Sequence, residues 1–197
     1  MIILIVAGFL GSGKTTFILS LARQLVEAGK KVAIIENEVG EIGIDGELIR
    51  RSGLAVREIF NGCICCQLSA DLVPTLETLA VETASDYIII EASGVAEPNR
   101  ILGLLSFYHG PPIQDTHTLT LVDPTRIPEL FQILTPLITA QVQPANTIII
   151  NKIDIASSDE LTATREVLKS LKLRAAIVEL SARDKVDIAV PNLIPNL

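Results

Sequence analysis

Tryptophan is absent from this 197-residue chain, and only five Phe and two Tyr supply aromatic rings. So few rings leave little for stacking bases. The 23 acidic against 16 basic residues, a net charge of −7, remove the basic surface that binding a phosphate backbone requires. No nucleic-acid partner is expected. Long apolar runs are lacking too. Hydrophobic residues make up 49% and the mean hydropathy is +0.47, yet no run approaches the roughly 18–20 residues of a bilayer span. No membrane association is expected. Histidine is limited to His109 and His117, both within 107–118, and both read as ordinary loop residues rather than ligands. Cysteine is confined to Cys63, Cys65 and Cys66. An odd number in one cluster argues against a disulfide framework and fits a reducing compartment.

What the chain has is a rhythm of short β-branched runs and amphipathic stretches. Segments 1–7, 87–90 and 147–150 read as strands buried on both faces of a parallel sheet. The first lacks the basic start of a signal peptide and runs straight into a glycine loop, so the expected location is the cytoplasm. Further strands are expected at 31–35, 55–59, 118–122 and 176–180. Helices are expected at 15–28, 68–83, around 100–107, and at 158–171. Apolar faces fall at Phe17, Leu21 and Leu25 in the first helix and at Leu72, Leu76 and Leu79 in the second. Residues 36–45, mixing glycine with carboxylates, read as a mobile loop, and 191–197 as a short extended end. The alternation implies an α/β fold, a mainly parallel central sheet with helices on both faces, in one domain spanning 1–197. Ligands bind such sheets at the carboxyl ends of the strands, and each motif below directly follows a strand.

Gly8 to Thr15, GFLGSGKT, fits the phosphate-loop pattern G-x-x-x-x-G-K-[ST] between a strand and a helix. Backbone N–H groups of Gly11, Ser12, Gly13, Lys14, Thr15 and Thr16 would curl around phosphate oxygens. Lys14 would reach the β and γ phosphates, and the Thr15 hydroxyl would take a magnesium position. Glu91-Ala92-Ser93-Gly94 follows a strand, where Glu91 would hold magnesium through a water and the Gly94 N–H would bond the γ phosphate. Asn151-Lys152-Ile153-Asp154 matches the N-K-x-D element that reads guanine. The Asp154 carboxylate can accept from guanine N1–H and the 2-amino group, donors that adenine lacks there. Asn151 and Lys152 would support the base and the loop, with Ser181 and Ala182 closing over its edge. GTP or GDP is therefore the expected nucleotide.

Cys63 and Cys65, two apart, fall on one side of an extended segment, and Cys66 can fold in at the turn. Three thiolates suit zinc, copper(I) or another thiophilic ion, and an incomplete shell suits a carrier that must release it. A redox or buried structural cluster is the plainer alternative.

Taken together, GFLGSGKTT, ENEVGEIGIDGELI (36–49), NGCICC (61–66), EASGVAEP (91–98) and NKID (151–154) resemble the CobW-like family of P-loop GTPases, relatives of the nickel-insertion GTPases of hydrogenase and urease maturation. The resemblance implies a P-loop NTPase fold and a GTPase that couples nucleotide state to binding and delivery of zinc or cobalt to a client metalloprotein. It implies metal binding by the cysteine run and a nucleotide-responsive role for the E-N-E-x-G-E segment. Glu36, Glu38 and Glu41 become candidates for coupling, with Glu36 or Glu41 able to lend an oxygen to the metal. A homodimer facing across nucleotide is one arrangement relatives adopt. The family's C-terminal domain and histidine-rich stretch are expected to be absent. A second reading keeps the GTPase but makes it an accessory protein for a metal- or corrinoid-dependent enzyme, with the cysteines sensing metal without transferring it. A small-molecule kinase is a third, against which NKID and the lack of a recognisable acceptor lid count.

Overall fold

The computed structural model describes residues 1–36, 55–58, 68–184, 186 and 193–194. In chain order the elements are β1 (Ile2–Gly8), α1 (Lys14–Glu27), β2 (Val32–Glu36), β3 (Ala55–Glu58), α2 (Leu68–Thr83), β4 (Tyr87–Glu91), α3 (Pro98–Leu104) with a 3-10 turn at Leu105–Phe107, β5 (Asp115–Val122), α4 (Ile127–Val142), β6 (Thr147–Ile150), α5 (Ser158–Ser170) and β7 (Ala176–Glu179). The seven strands form one sheet in the order β3-β2-β4-β1-β5-β6-β7. Every pairing is parallel.

The isoleucine-rich runs become central strands because each must bury both faces. Alternate residues of β1 divide between two cores. Ile2, Leu4 and Val6 join Phe17, Leu21 and Leu25 of α1, while Ile3, Ile5 and Ala7 join Leu72, Leu76 and Leu79 of α2. A third cluster, with Val122, Ile138, Val142 and Leu168, seats α4 and α5 against β5 and β6. At about 25 cal/mol per Å² of apolar surface, these three layers carry most of the stabilisation. Ser157 starts α5 with a capping box, its hydroxyl accepting from Glu160 N–H while Glu160 reaches back.

Several expectations change. The helix at Ile127–Val142 was not anticipated. Leu134 has φ −121° and ψ 32°, and Pro136 cannot donate to the helix ladder, so the element is kinked and its apolar period is interrupted. Strand β5 begins at Asp115, not at 118, and His117 therefore lies in a strand opposite Leu4 rather than in a loop. The first half of β5 is only partly buried, which allows polar residues there; His117 Nε2 is 3.0 Å from Thr147 Oγ1. His109 does lie in a loop, exposed. Of the stretch 191–197, expected as a short extended end, Leu193 and Ile194 are among the described residues and are buried in the cluster with Phe17 and Leu21. Residues 37–45, which cover most of the expected acidic loop, lie outside the described residues.

Candidate functional site at the carboxyl edge of the sheet

The phosphate-loop residues join β1 to α1 at the edge where β4, β6 and β7 also end. Gly13 caps α1 with φ +94°, a left-handed conformation suited to glycine, and a Cβ there would collide with the Asn151 side-chain amide. No side chain caps this 14-residue helix and its first turn holds no acid. Its leading N–H groups are thus presented with the positive end of the helix dipole, a cradle for an anion. Lys14 is 4% exposed, and among the described residues no carboxylate pairs with it. A buried ammonium of this kind is stabilised by an anionic ligand.

Glu91 ends β4 in register with Val6 of β1 and is 2% exposed. The Thr15 hydroxyl donates to its Oε1 at 3.0 Å. These two adjacent oxygens, a hydroxyl and a carboxylate, are a donor set that fits a hard divalent cation such as magnesium. Three residues on, Gly94 packs directly on the phosphate loop: a Cβ would lie 2.8 Å from Leu10 N and 2.9 Å from Leu10 Cα. The sequence did not disclose what holds this segment. Gln141 of α4, 2% exposed, donates through Nε2 to the Gly94 carbonyl at 3.0 Å and to that of Ala96 at 3.4 Å. Nothing in the sequence marked Gln141, whose partner Gly94 lies 47 residues away.

The N-K-x-D turn is tied to both neighbouring loops. Asn151, 2% exposed, donates through Nδ2 to the Ser12 carbonyl at 2.8 Å and accepts at Oδ1 from Ala182 N–H at 2.8 Å. Ser181 and Ala182 are buried beside it. Lys152 has φ +62°, and its Nζ lies 2.6 Å from Asp123 Oδ2. The Asp154 side chain is 31% exposed and its carboxylate stands 4.0 Å from the Arg183 guanidinium, leaving it open to another donor. The hydroxyls of Ser12, Ser93 and Ser181 are buried without a partner among the described residues. They come from the phosphate loop, the Glu91–Gly94 segment and the Ser181 loop, three segments that meet at this edge of the sheet. A cavity of about 390 Å³ runs along α1 from Thr16 to Glu27 and is closed by Ala182, Arg183 and Asp184; Lys14, Glu91 and Asp154 do not line it. Arg126, also missed in the sequence, donates to Leu10 O at 2.8 Å and lies over the Phe9 ring.

The cysteine site cannot be placed in the same way. Cys63, Cys65, Cys66, Glu38 and Glu41 lie outside the described residues. Glu36 is not a loop residue: it is the last residue of β2, 8% exposed and in register with Glu58 of β3. The ladder continues one residue past the apolar run because β3 pairs with it there. Among the described residues no three His, Cys, Asp or Glu side chains converge as a metal site would require.

The arrangement of phosphate loop, acid-ended β4 and N-K-x-D turn agrees with a family-wide pattern. Residues 2–179 match the model of the CobW/HypB/UreG nucleotide-binding domain. The chain belongs to that family. It is 36% identical over 151 residues to the zinc chaperone YeiR of Escherichia coli (strain K12), covering 76% of this chain and 46% of that protein. To the zinc chaperone CobW of Sinorhizobium sp it is 30% identical over 198 residues, covering 84% and 54%. The crystal structure of the Zn(II)-bound YjiA GTPase from E. coli superimposes with a TM-score of 0.64 at 25% identity, over 95% of this chain and 59% of that one. HypB from Helicobacter pylori, solved in complex with nickel, shares the fold with a TM-score of 0.63 at 20% identity, over 93% of this chain and 80% of its own. The chain thus spans about half the length of the curated relatives it matches. No helix among the described residues is long and apolar enough to cross a membrane.

Proposed function

We propose that this chain binds and hydrolyses GTP, and that its nucleotide state governs how tightly Cys63, Cys65 and Cys66 hold a thiophilic metal for delivery to a client metalloprotein. Zinc is the first candidate, since the relatives named above are zinc chaperones; cobalt is the second. The observation that carries the nucleotide half is the position of Asn151, whose one side chain joins the phosphate loop at Ser12 to the Ser181–Ala182 loop. A phosphate cradle and a base-reading carboxylate are thereby held in one frame.

In this reading the amides of Gly11 to Thr16 and the Lys14 ammonium bind the phosphates. Thr15, and Glu91 through a water, would hold magnesium, which would supply neutralisation of the charge that develops during phosphoryl transfer. Water attacks the γ phosphorus and the bond to the β-γ bridging oxygen breaks, leaving GDP and phosphate. The Gly94 N–H bonds the γ phosphate and is lost as a contact once phosphate leaves. Because Gly94 rests on Leu10 and is held by Gln141, its displacement moves a defined segment. Glu36 ends β2 and is the first residue of the E-N-E-V-G-E segment, the part of the chain to which this reading gives the coupling role.

Competition binding tests the nucleotide assignment. GDP should bind at least about a hundredfold more tightly than ADP, below the ceiling of about 10⁴–10⁵ for a site built around such hydrogen bonds. Asp154→Asn should weaken GDP and favour the xanthosine nucleotide, whose extra carbonyl accepts from the amide. Equal affinity of the native protein for GDP and ADP would overturn the assignment.

A further inference from the structure

The turn that carries Asp154 is held by a residue outside the motif. Lys152 stands in the left-handed region at φ +62°, unfavourable for a residue with a Cβ, and such a conformation persists only where its surroundings impose it. The imposing group is Asp123, at the end of β5. This carboxylate is 5% exposed and has both oxygens engaged. Its Oδ1 accepts from Thr125 N–H at 3.0 Å and from the Thr125 hydroxyl at 2.7 Å, while Oδ2 meets Lys152 Nζ at 2.6 Å. Its own loop therefore fixes it, and it fixes Lys152. Asp154, two residues on, has among the described residues the 4.0 Å approach of Arg183 and no closer side-chain tie, so its direction depends on the conformation of the turn.

We infer that Asp123 is a positioning residue for base recognition: through Lys152 it holds the turn so that the Asp154 carboxylate faces the purine edge. This rests on reading Asp154 as the guanine acceptor. A buried carboxylate whose lysine partner is only 30% exposed is a short, charge-assisted tie, strong enough to hold a strained turn. The same segment sends Arg126 to Leu10 O, so the residues after β5 touch the base loop and the phosphate loop at once.

Calorimetric binding of GDP, IDP and magnesium tripolyphosphate to the wild type and Asp123→Asn separates positioning from general support. IDP lacks the 2-amino group, so the GDP-to-IDP affinity ratio reports the direction of Asp154, whereas tripolyphosphate reports the phosphate loop alone. Asp123→Asn should lower GDP affinity about tenfold, the worth of one charge-assisted hydrogen bond. The GDP-to-IDP ratio should collapse toward one, and tripolyphosphate affinity should stay within about twofold. Equal loss for all three ligands, or an unchanged ratio, would overturn the inference. Lys152→Met and the double variant give a second route if Asp123→Asn does not fold. Lys152→Met should show the same collapse and the double variant no further loss, and an unchanged ratio in Lys152→Met would equally overturn it. Asp154→Ala is the control for the underlying reading. If it leaves the ratio unchanged, the guanine assignment fails, and the inference fails with it.

Discussion

The Asn151 side chain and the Ser12 carbonyl are joined by a 2.8 Å hydrogen bond, and the oxygen of the same side chain accepts from Ala182 N–H at 2.8 Å. One amide thus satisfies two buried backbone groups from loops 139 and 31 residues away in sequence. Asn151→Ala leaves both unsatisfied, a loss of about 1–3 kcal/mol for such groups. Denaturant unfolding should show that loss, and GDP affinity should fall with it because both loops slacken. A variant with native stability and native GDP affinity would show that the two loops are held by other contacts.

Lys14→Ala and Thr15→Ala should reduce GTP hydrolysis by at least about 10²-fold, the cost of removing one group that stabilises developing charge. Neither should harm the fold. Lys14 is a buried ammonium with no carboxylate partner among the described residues, so its removal relieves a desolvated charge in the nucleotide-free protein. Single-turnover hydrolysis with thermal melting checks both halves. Hydrolysis at near-native rate in either variant would place the chemistry elsewhere.

Gly94→Ala tests contact between the Glu91–Gly94 segment and the phosphate loop. The added Cβ would sit 2.8 Å from Leu10 N, closer than backbone atoms allow, so one segment must retreat. Affinity for a non-hydrolysable GTP analogue should fall more than affinity for GDP, since only the former uses the γ-phosphate contact. An equal fall for both would remove Gly94 from the γ-phosphate side.

The fold was legible where burial is symmetrical. Isoleucine runs such as 2–5 and 87–90 have no polar alternative to a central strand, and the structure places β1 and β4 there. Helix Ile127–Val142 escaped because Pro136 and the non-helical Leu134 interrupt its period. Yet β5 and β6 are parallel neighbours, and their connection needs a crossover of about a dozen residues or more. That requirement, with Pro128 and Glu129 in the first turn, was the readable signal. Residues of the site were legible where the backbone itself demands them, as at Gly13 and Asn151. Asp123 and Gln141 were not, because their partners Lys152 and Gly94 lie 29 and 47 residues away and only the folded sheet brings them together. Leu193 and Ile194, two apolar residues between prolines and asparagines, carry no period that could announce their burial.

Coupling between the nucleotide and the cysteines is measured by metal titration of the GDP-bound and GTP-analogue-bound forms. Zinc affinity measured anaerobically at fixed pH should differ between the two by about 1–3 kcal/mol, roughly 5- to 150-fold. Zinc must in turn alter the relative affinity for GTP analogue and GDP by the same factor. Ligation by thiolates releases protons, so both affinities should rise with pH. Cys65→Ser or Cys66→Ser should lose metal and coupling while keeping GDP binding, and Glu41→Ala should keep some metal and lose coupling. Identical zinc affinities in the two nucleotide states would contradict the account and leave the cysteines a passive site.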